Sequence, residues 1–279
     1  EILGIELQTP FPQMSYDFVL ENYGSDKPDL RIFGLSKIVN ISEIVKDLEF
    51  VVFKNALAEK NGIVGGVKFS FAENNIDVTR KIIDGLTDFV KKLGFGGLGY
   101  IKYNSDGSVQ SPLQKFLNEE VQAKIKNVFE AKDGEIIFIL SGAKKKVLTS
   151  LGTIRNKIAA DYKLIDKSRY EFLWVTDFPL FHYDEESGEI AAEHHMFTSP
   201  KAEEMYKFDE AKNLSGKERG ELLQSIKADC YDLVLNGNEI ASGSIRIHRQ
   251  DIQKKVFDVV GLTEQEQQEK FGFLLNAFQ

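Results

Sequence analysis

At 279 residues, 42% hydrophobic and 28% charged, the chain has the make-up of a globular protein with room for one large domain or two ordinary ones, not of a disordered or fibrous one. A formal net charge of −8 argues against a broad basic face for nucleic acid, while leaving room for a local patch. The single cysteine, Cys230, excludes an internal disulfide framework and a thiolate metal cluster; with no apolar run near the roughly 20 residues of a bilayer span and no signal-peptide start, a cytoplasmic protein is expected.

The first 35 residues hold three of the six prolines and a polar block from Tyr23 to Asp29, and they follow no regular period. From Gly62 to Tyr162 a β-α-β-α-β-α series is expected. Gly62 to Phe71 alternates as a strand, and Thr79 to Leu93 carries Ile82, Leu86, Phe89, Val90 and Leu93 at helical spacing. Asp77 or Thr79 suits the N-cap, and Gly94 the left-handed stop. Leu98 to Tyr103 reads as a strand, and Ser111-Pro112 as the opening of a helix through Phe116, Val121, Ile125 and Val128. Glu135 to Leu140 reads as a short buried strand, followed by a helix through Val147, Leu151 and Ile158. The run Lys144-Lys145-Lys146 at its start reads as a solvated surface.

From Phe172 the pattern changes. Phe172 to Val175 and Ala191 to Thr198 read as strands joined by a turn at Asp184 to Gly188. Asp232 to Leu235 and Glu239 to Ile247 read as two more, around the two-residue hairpin signal Asn236-Gly237. Helices are expected over Asp251 to Val260 and Thr263 to Phe278, the second opened by the capping box Thr263 and Glu266. An α/β module set into a mainly antiparallel β domain accounts for both regimes.

Gly94 to Gly99 literally spells G-x-G-x-x-G. The dinucleotide fingerprint needs these glycines after a strand and before a helix; here they close a helix and lead into a strand. The hairpin carries more. Counted out from Asn236-Gly237, Asp232 and Glu239 fall on one face as diagonal neighbours. Such carboxylates repel unless a cation lies between them, and Mg²⁺ with a phosphate is the natural candidate for oxygen ligands; the alternative is two carboxylates facing water. Arg246 has the wrong parity to share that face unless one extra residue sits in Ala241-Ser242-Gly243, where small residues suit a bulge. It is then either a fork for a carboxylate or phosphate, or an arginine on a surface edge. If His194 and His195 lie in a strand they point to opposite faces, so at most one joins the hairpin's pocket. Neither has a second histidine at zinc spacing.

Several long motifs, in order, resemble bacterial aspartyl-tRNA synthetases: TPFP from Thr9, YGSDKPDLR from Tyr23, FLWVTDFPLF from Phe172, EHHMFTSP from Glu193, YDLVLNGNEI from Tyr231, SIRIH from Ser244 and EKFGFLL from Glu269. The resemblance runs the whole length. It implies an α+β class II synthetase core with an inserted α/β domain, namely catalytic segments at 1–37 and 166–279 around an insertion (GAD-like) domain at 38–165. That insertion is similar to one in a subunit of the tRNA-dependent amidotransferase. It also implies an aspartate–tRNA ligase that activates L-aspartate with ATP and passes it to tRNA, working as a homodimer with Mg²⁺ as cofactor. By position, His194, Ser242 and Arg246 would bind aspartate, with Arg246 on its side-chain carboxylate, and Asp232 and Glu239 would hold Mg²⁺ and ATP. Two departures stand out. Ala241-Ser242-Gly243 replaces three glycines, resembling the archaeal and eukaryotic branch, and Met196 replaces a proline.

On the same resemblance, the family's motifs 1 to 3 and its anticodon-binding β-barrel fall outside this stretch, and the chain alone is expected to be inactive in aminoacylation. The competing reading is a non-catalytic module that contacts tRNA or a partner.

Overall fold

The computed structural model describes residues 4, 7–71, 74–76, 78–185 and 187–277. The chain divides into two compact units. One comprises Glu1–Asp17, Phe172–Leu235 and Glu239–Gln279, the other Phe18–Glu171 with Asn236–Asn238. It is an α+β protein whose sheets are mainly antiparallel.

The chain opens with β1 (Gln13–Ser15) and α1 (Tyr16–Tyr23). Then β2 (Val39–Asn40), α2 (Ser42–Val45) and α3 (Val51–Ala58) occupy a stretch that the periodicity does not mark. The expected series follows as β3 (Gly62–Ser70), α4 (Arg80–Lys92), β4 (Gly99–Tyr103), β5 (Val109–Gln110), α5 (Glu119–Val128), β6 (Glu135–Ala143) and α6 (Lys144–Asp161). Gly94, at φ +82°, stops α4 as its sequence position implies. Thr79 precedes α4 in extended conformation without a side-chain cap bond, and Asp77 lies outside the described residues.

One expected helix is corrected. Ser111-Pro112 opens only turns: the Ser111 hydroxyl makes the expected cap, accepting Leu113 N–H at 3.0 Å while donating to Tyr100 O at 2.6 Å, but Asn118 takes extended backbone and ends the run. The helix starts at Glu119, where the Asn118 side chain accepts Val121 N–H at 2.8 Å.

Alternating strands and helices ordinarily make parallel pairs. Here the sheet order is β2-β3-β6-β4-β5, and each pair is antiparallel. β6 takes the centre because it is apolar on both faces. Ile136, Phe138 and Leu140 join the core beneath α4 and α6, while Ile137 and Ile139 join a second core with Val45, Phe53 and Ile125 from α2, α3 and α5. Only a slot with helices above and below buries both sets. On the first side, α1 is followed by Gly24, which meets α6 so closely that a Cβ there would lie 2.1 Å from Leu148 O.

The other unit contains β7 (Phe172–Thr176), β8 (Phe181–Tyr183), β9 (Ile190–Ala192), α7 (Tyr206–Glu210), α8 (Gly216–Gln224), β10 (Cys230–Leu235), β11 (Asn238–Ser244), α9 (Gln250–Val259) and α10 (Glu264–Ala277). Its main sheet has the order β1-β7-β10-β11, with β1 parallel to β7 and β10 antiparallel to it. The strand expected over Ala191 to Thr198 is also corrected. It ends at Ala192, and its partner across the Asp184–Gly188 turn is β8 rather than β7. The capping box forms: Thr263 N–H and its hydroxyl both donate to Glu266 Oε2, at 2.9 and 2.8 Å, and Glu266 N–H donates back to Thr263 Oγ1 at 3.3 Å. Phe278, the expected end of α10, lies outside the described residues.

Candidate active site

Asn236 and Gly237 both take positive φ, +55° and +81°, the signature of the type I′ turn that joins two twisted strands. The Asn236 side chain fastens this turn, accepting Glu171 N–H at 2.9 Å and donating to Arg169 O at 3.2 Å. Asp29 grips Arg31 through two side-chain bonds of 2.9 and 2.7 Å, and Arg31 reaches Asn236 O at 3.5 Å.

Along β10, Cys230, Asp232 and Val234 are buried while Tyr231 is exposed. Asp232 stands opposite Val175 of β7 and Val234 opposite Leu173, so a carboxylate shares its face with aliphatic core residues. Only 4% of Asp232 is exposed. A charge so placed is retained at a cost. Burial, followed by the fields of Asp232 and Asp229, pushes the neighbouring Cys230 thiol up to about 12, so it stays protonated.

Glu239 and Ser242, on β11, are exposed, as is Arg246 beyond it. β11 runs as a strand through Ala241-Ser242-Gly243, and a Cβ on Gly243 would lie 2.5 Å from the Tyr231 hydroxyl. Counted out from the turn, Ile245 would meet Ala228. Its N–H instead donates to Asp229 O at 2.9 Å, a step of one residue. There the hairpin opens and Ser199 enters, accepting Asp229 N–H at 2.8 Å and donating to Ile245 O at 2.8 Å. Arg246 then bridges to Thr198.

The histidines lie in a turn, not a strand, so strand alternation does not set them on opposite faces. Thr198 N–H donates to His195 O at 3.0 Å, and Phe197 N–H to His195 Nδ1 at 3.2 Å. His194 Nδ1 lies 3.9 Å from Cys230 Sγ, and its ring packs on Phe178 at 4.8 Å. Burial, then the Arg246 charge, holds His195 below the usual histidine range. Thus one histidine reaches β10 while the other feels Arg246. Period-two alternation admits at most one of the two histidines to the hairpin's pocket, so His195 is not among the residues expected there. Neither is Gln253 of α9, although it is a polar residue three and four positions before the buried Val256 and Phe257, a spacing that marks it.

Among the described residues no group of three or more His, Cys, Asp or Glu could hold a metal ion. Asp232 and Glu239 could supply two carboxylates to a cation whose other ligands are waters or phosphates, the usual mode of Mg²⁺.

Comparison with known proteins decides the family. Residues 1–279 match the tRNA synthetases class II (D, K and N). The chain belongs to that class II synthetase family. It is 46% identical over 277 residues to the aspartate–tRNA(Asp/Asn) ligase of Persephonella marina, covering 99% of this chain and 44% of that protein. It is 42% identical to the aspartate–tRNA ligase of Halalkalibacterium halodurans, covering 100% of this chain and 44% of the relative. The aspartate–tRNA(Asp/Asn) ligase of Aquifex aeolicus is 43% identical, with 99% of this chain and 45% of the relative covered. This class II synthetase chain therefore spans less than half the length of the curated relatives it matches. Among its described residues no helix is long and apolar enough to cross a membrane.

Proposed function

We propose that this chain supplies the aspartate-facing and Mg²⁺-facing part of an aspartate–tRNA ligase, which couples ATP and L-aspartate into aspartyl-adenylate and transfers the aspartyl group to tRNA. The observation that carries this reading is the hairpin. Its I′ turn and the one-residue step before Ile245 support the reading that Asp232, Glu239 and Arg246 serve one site, in a chain similar along its length to aspartate–tRNA ligases. The step is the change of phase needed for Arg246 to share a face with Glu239.

In this reading Arg246 takes the aspartate side-chain carboxylate in a forked ion pair, with Ser242 and His194 completing the aspartate contacts. Cys230 Sγ, 3.9 Å from His194 Nδ1, supports that ring from β10. Asp232 and Glu239 would hold Mg²⁺, which when bound would supply charge neutralisation for the ATP phosphates. Holding both reactants on one rigid hairpin lowers the entropic part of the barrier. The catalytic segments are assigned to residues 1–37 and 166–279 and the insertion domain to 38–165, in a cytoplasmic enzyme that works as a homodimer. The relatives match across both compact units, which disfavours a purely non-catalytic module.

The test is ATP–pyrophosphate exchange by the intact protein. Exchange that depends on L-aspartate, and not on L-lysine, L-asparagine or L-glutamate, is expected. Exchange driven by another amino acid overturns the reading.

A further inference from the structure

Gln253 is buried on α9, 1% exposed, beside Val256 and Phe257. Its Nε2 donates a 2.9 Å hydrogen bond to the carbonyl of Met196, the residue after the two histidines. Its Oε1 is buried with no hydrogen-bond partner among the described residues. A buried amide with half its polar capacity unmet works against folding, and a methionine of similar length would avoid that cost. Packing alone therefore does not account for a glutamine here. The bond to Met196 does.

The turn that this bond holds is also gripped by rings. Phe197 meets Phe257 of α9 edge-on at 5.7 Å and Phe271 of α10 at 5.2 Å. From the same turn, bonds run outward to the candidate site. Phe197 N–H donates to His195 Nδ1, Ile247 N–H donates to Phe197 O at 2.9 Å, and Thr198 bridges Arg246. The backbone that carries both histidines is thus the backbone that pairs with Arg246, and Gln253 ties it to α9.

We propose that Gln253 is a positioning residue for the aspartate pocket. It fixes the His194–Thr198 turn and, through it, the relative placement of the two imidazoles and the Arg246 guanidinium. This inference rests on the reading of those residues as an aspartate site. Gln253 touches no substrate; it acts through Met196 O.

Gln253→Met keeps the length and deletes the bond. In the intact protein, the KM for aspartate in pyrophosphate exchange should rise roughly three- to tenfold, the loss expected of one hydrogen bond, with the KM for ATP unchanged. The melting temperature should stay level or rise, which a purely structural glutamine would not allow. In this chain, the imidazole ¹⁵N signals of His194 and His195 should move. If Gln253→Met does not fold, Gln253→Leu takes its place. Unmoved imidazole signals with an unchanged aspartate KM overturn the proposal, as do equal rises in both KM values. If the wild type shows no aspartate-dependent exchange, the functional reading fails instead, and the imidazole signals alone decide on Gln253.

Discussion

Thr198 and Arg246 pair across an isolated antiparallel bridge, which carries Arg246 away from β10 and onto the segment that bears the histidines. Ser199 makes this geometry, because it bonds both Asp229 and Ile245 where the hairpin opens. The arginine is thereby anchored by backbone on the histidine side while its side chain stays exposed.

That placement sets the first prediction. On the proposed role, Arg246→Leu would remove a forked, charge-assisted contact worth about 3 kcal/mol, so the aspartate KM should rise on the order of a hundredfold. Arg246→Lys, which keeps the charge without the fork, should fall between the two. The ATP KM and the melting temperature should hold, since the side chain supports no core. Kinetics with aspartate and ATP varied separately would check this.

Asp232→Asn keeps the shape of the buried side chain and removes its charge. The Mg²⁺ concentration for half-maximal exchange should rise about tenfold or more, with unchanged circular dichroism. An unaltered Mg²⁺ titration would overturn the proposal that Asp232 is a Mg²⁺ ligand.

Glu135, buried at the start of β6, accepts bonds from the Ser70 hydroxyl and from Lys132 N–H at 2.7 Å, and pairs with Lys68 at 2.9 Å. Burial pushes its carboxyl up, but these partners outweigh it and hold the group below the usual range. A carboxyl depressed in the fold stabilises it above the unfolded pKa of about 4.3, and that stability is lost as pH falls through the folded value. Glu135→Gln should therefore cost roughly 2–4 kcal/mol at pH 7, and the gap from wild type should narrow below about pH 4. Urea titrations at pH 7 and pH 3 would measure it.

Gly24 and Gly152 let two backbones touch. A Cβ on Gly152 would lie 2.6 Å from the carbonyls of Tyr23 and Gly24, and Gly24 itself sits at φ +68°. Gly152→Ala should destabilise by about 2–4 kcal/mol through overpacking. Gly24→Ala, with backbone strain added, should cost at least as much. Thermal unfolding of each variant would test the order.

Thr263→Ala removes the hydroxyl from the capping box and should cost about 1 kcal/mol, without affecting kinetics at the candidate site. A melting curve alone suffices to read it.

What the sequence by itself determined are features whose bonds close within a few residues. The Asn236-Gly237 turn, the Thr263–Glu266 box and the Gly94 helix stop were legible because glycine at positive φ, or a side chain three positions from its partner, carries the whole signal. The five candidate site residues could be named from motifs, and the hairpin count could phase Asp232 with Glu239, but the segment that Arg246 pairs with could not be read. Tertiary structure decided that β6 sits between β3 and β4, since only there are both its apolar faces covered. It decided that the helix after Ser111 is delayed to Glu119, and that β9 stops at Ala192 ahead of the histidine turn. It also decided that Gln253 clasps Met196, 57 residues away in the chain, and that Arg246 pairs with Thr198. Each of these outcomes is set by which distant segment offers the better burial or the unpaired backbone group, and no local spacing encodes that competition.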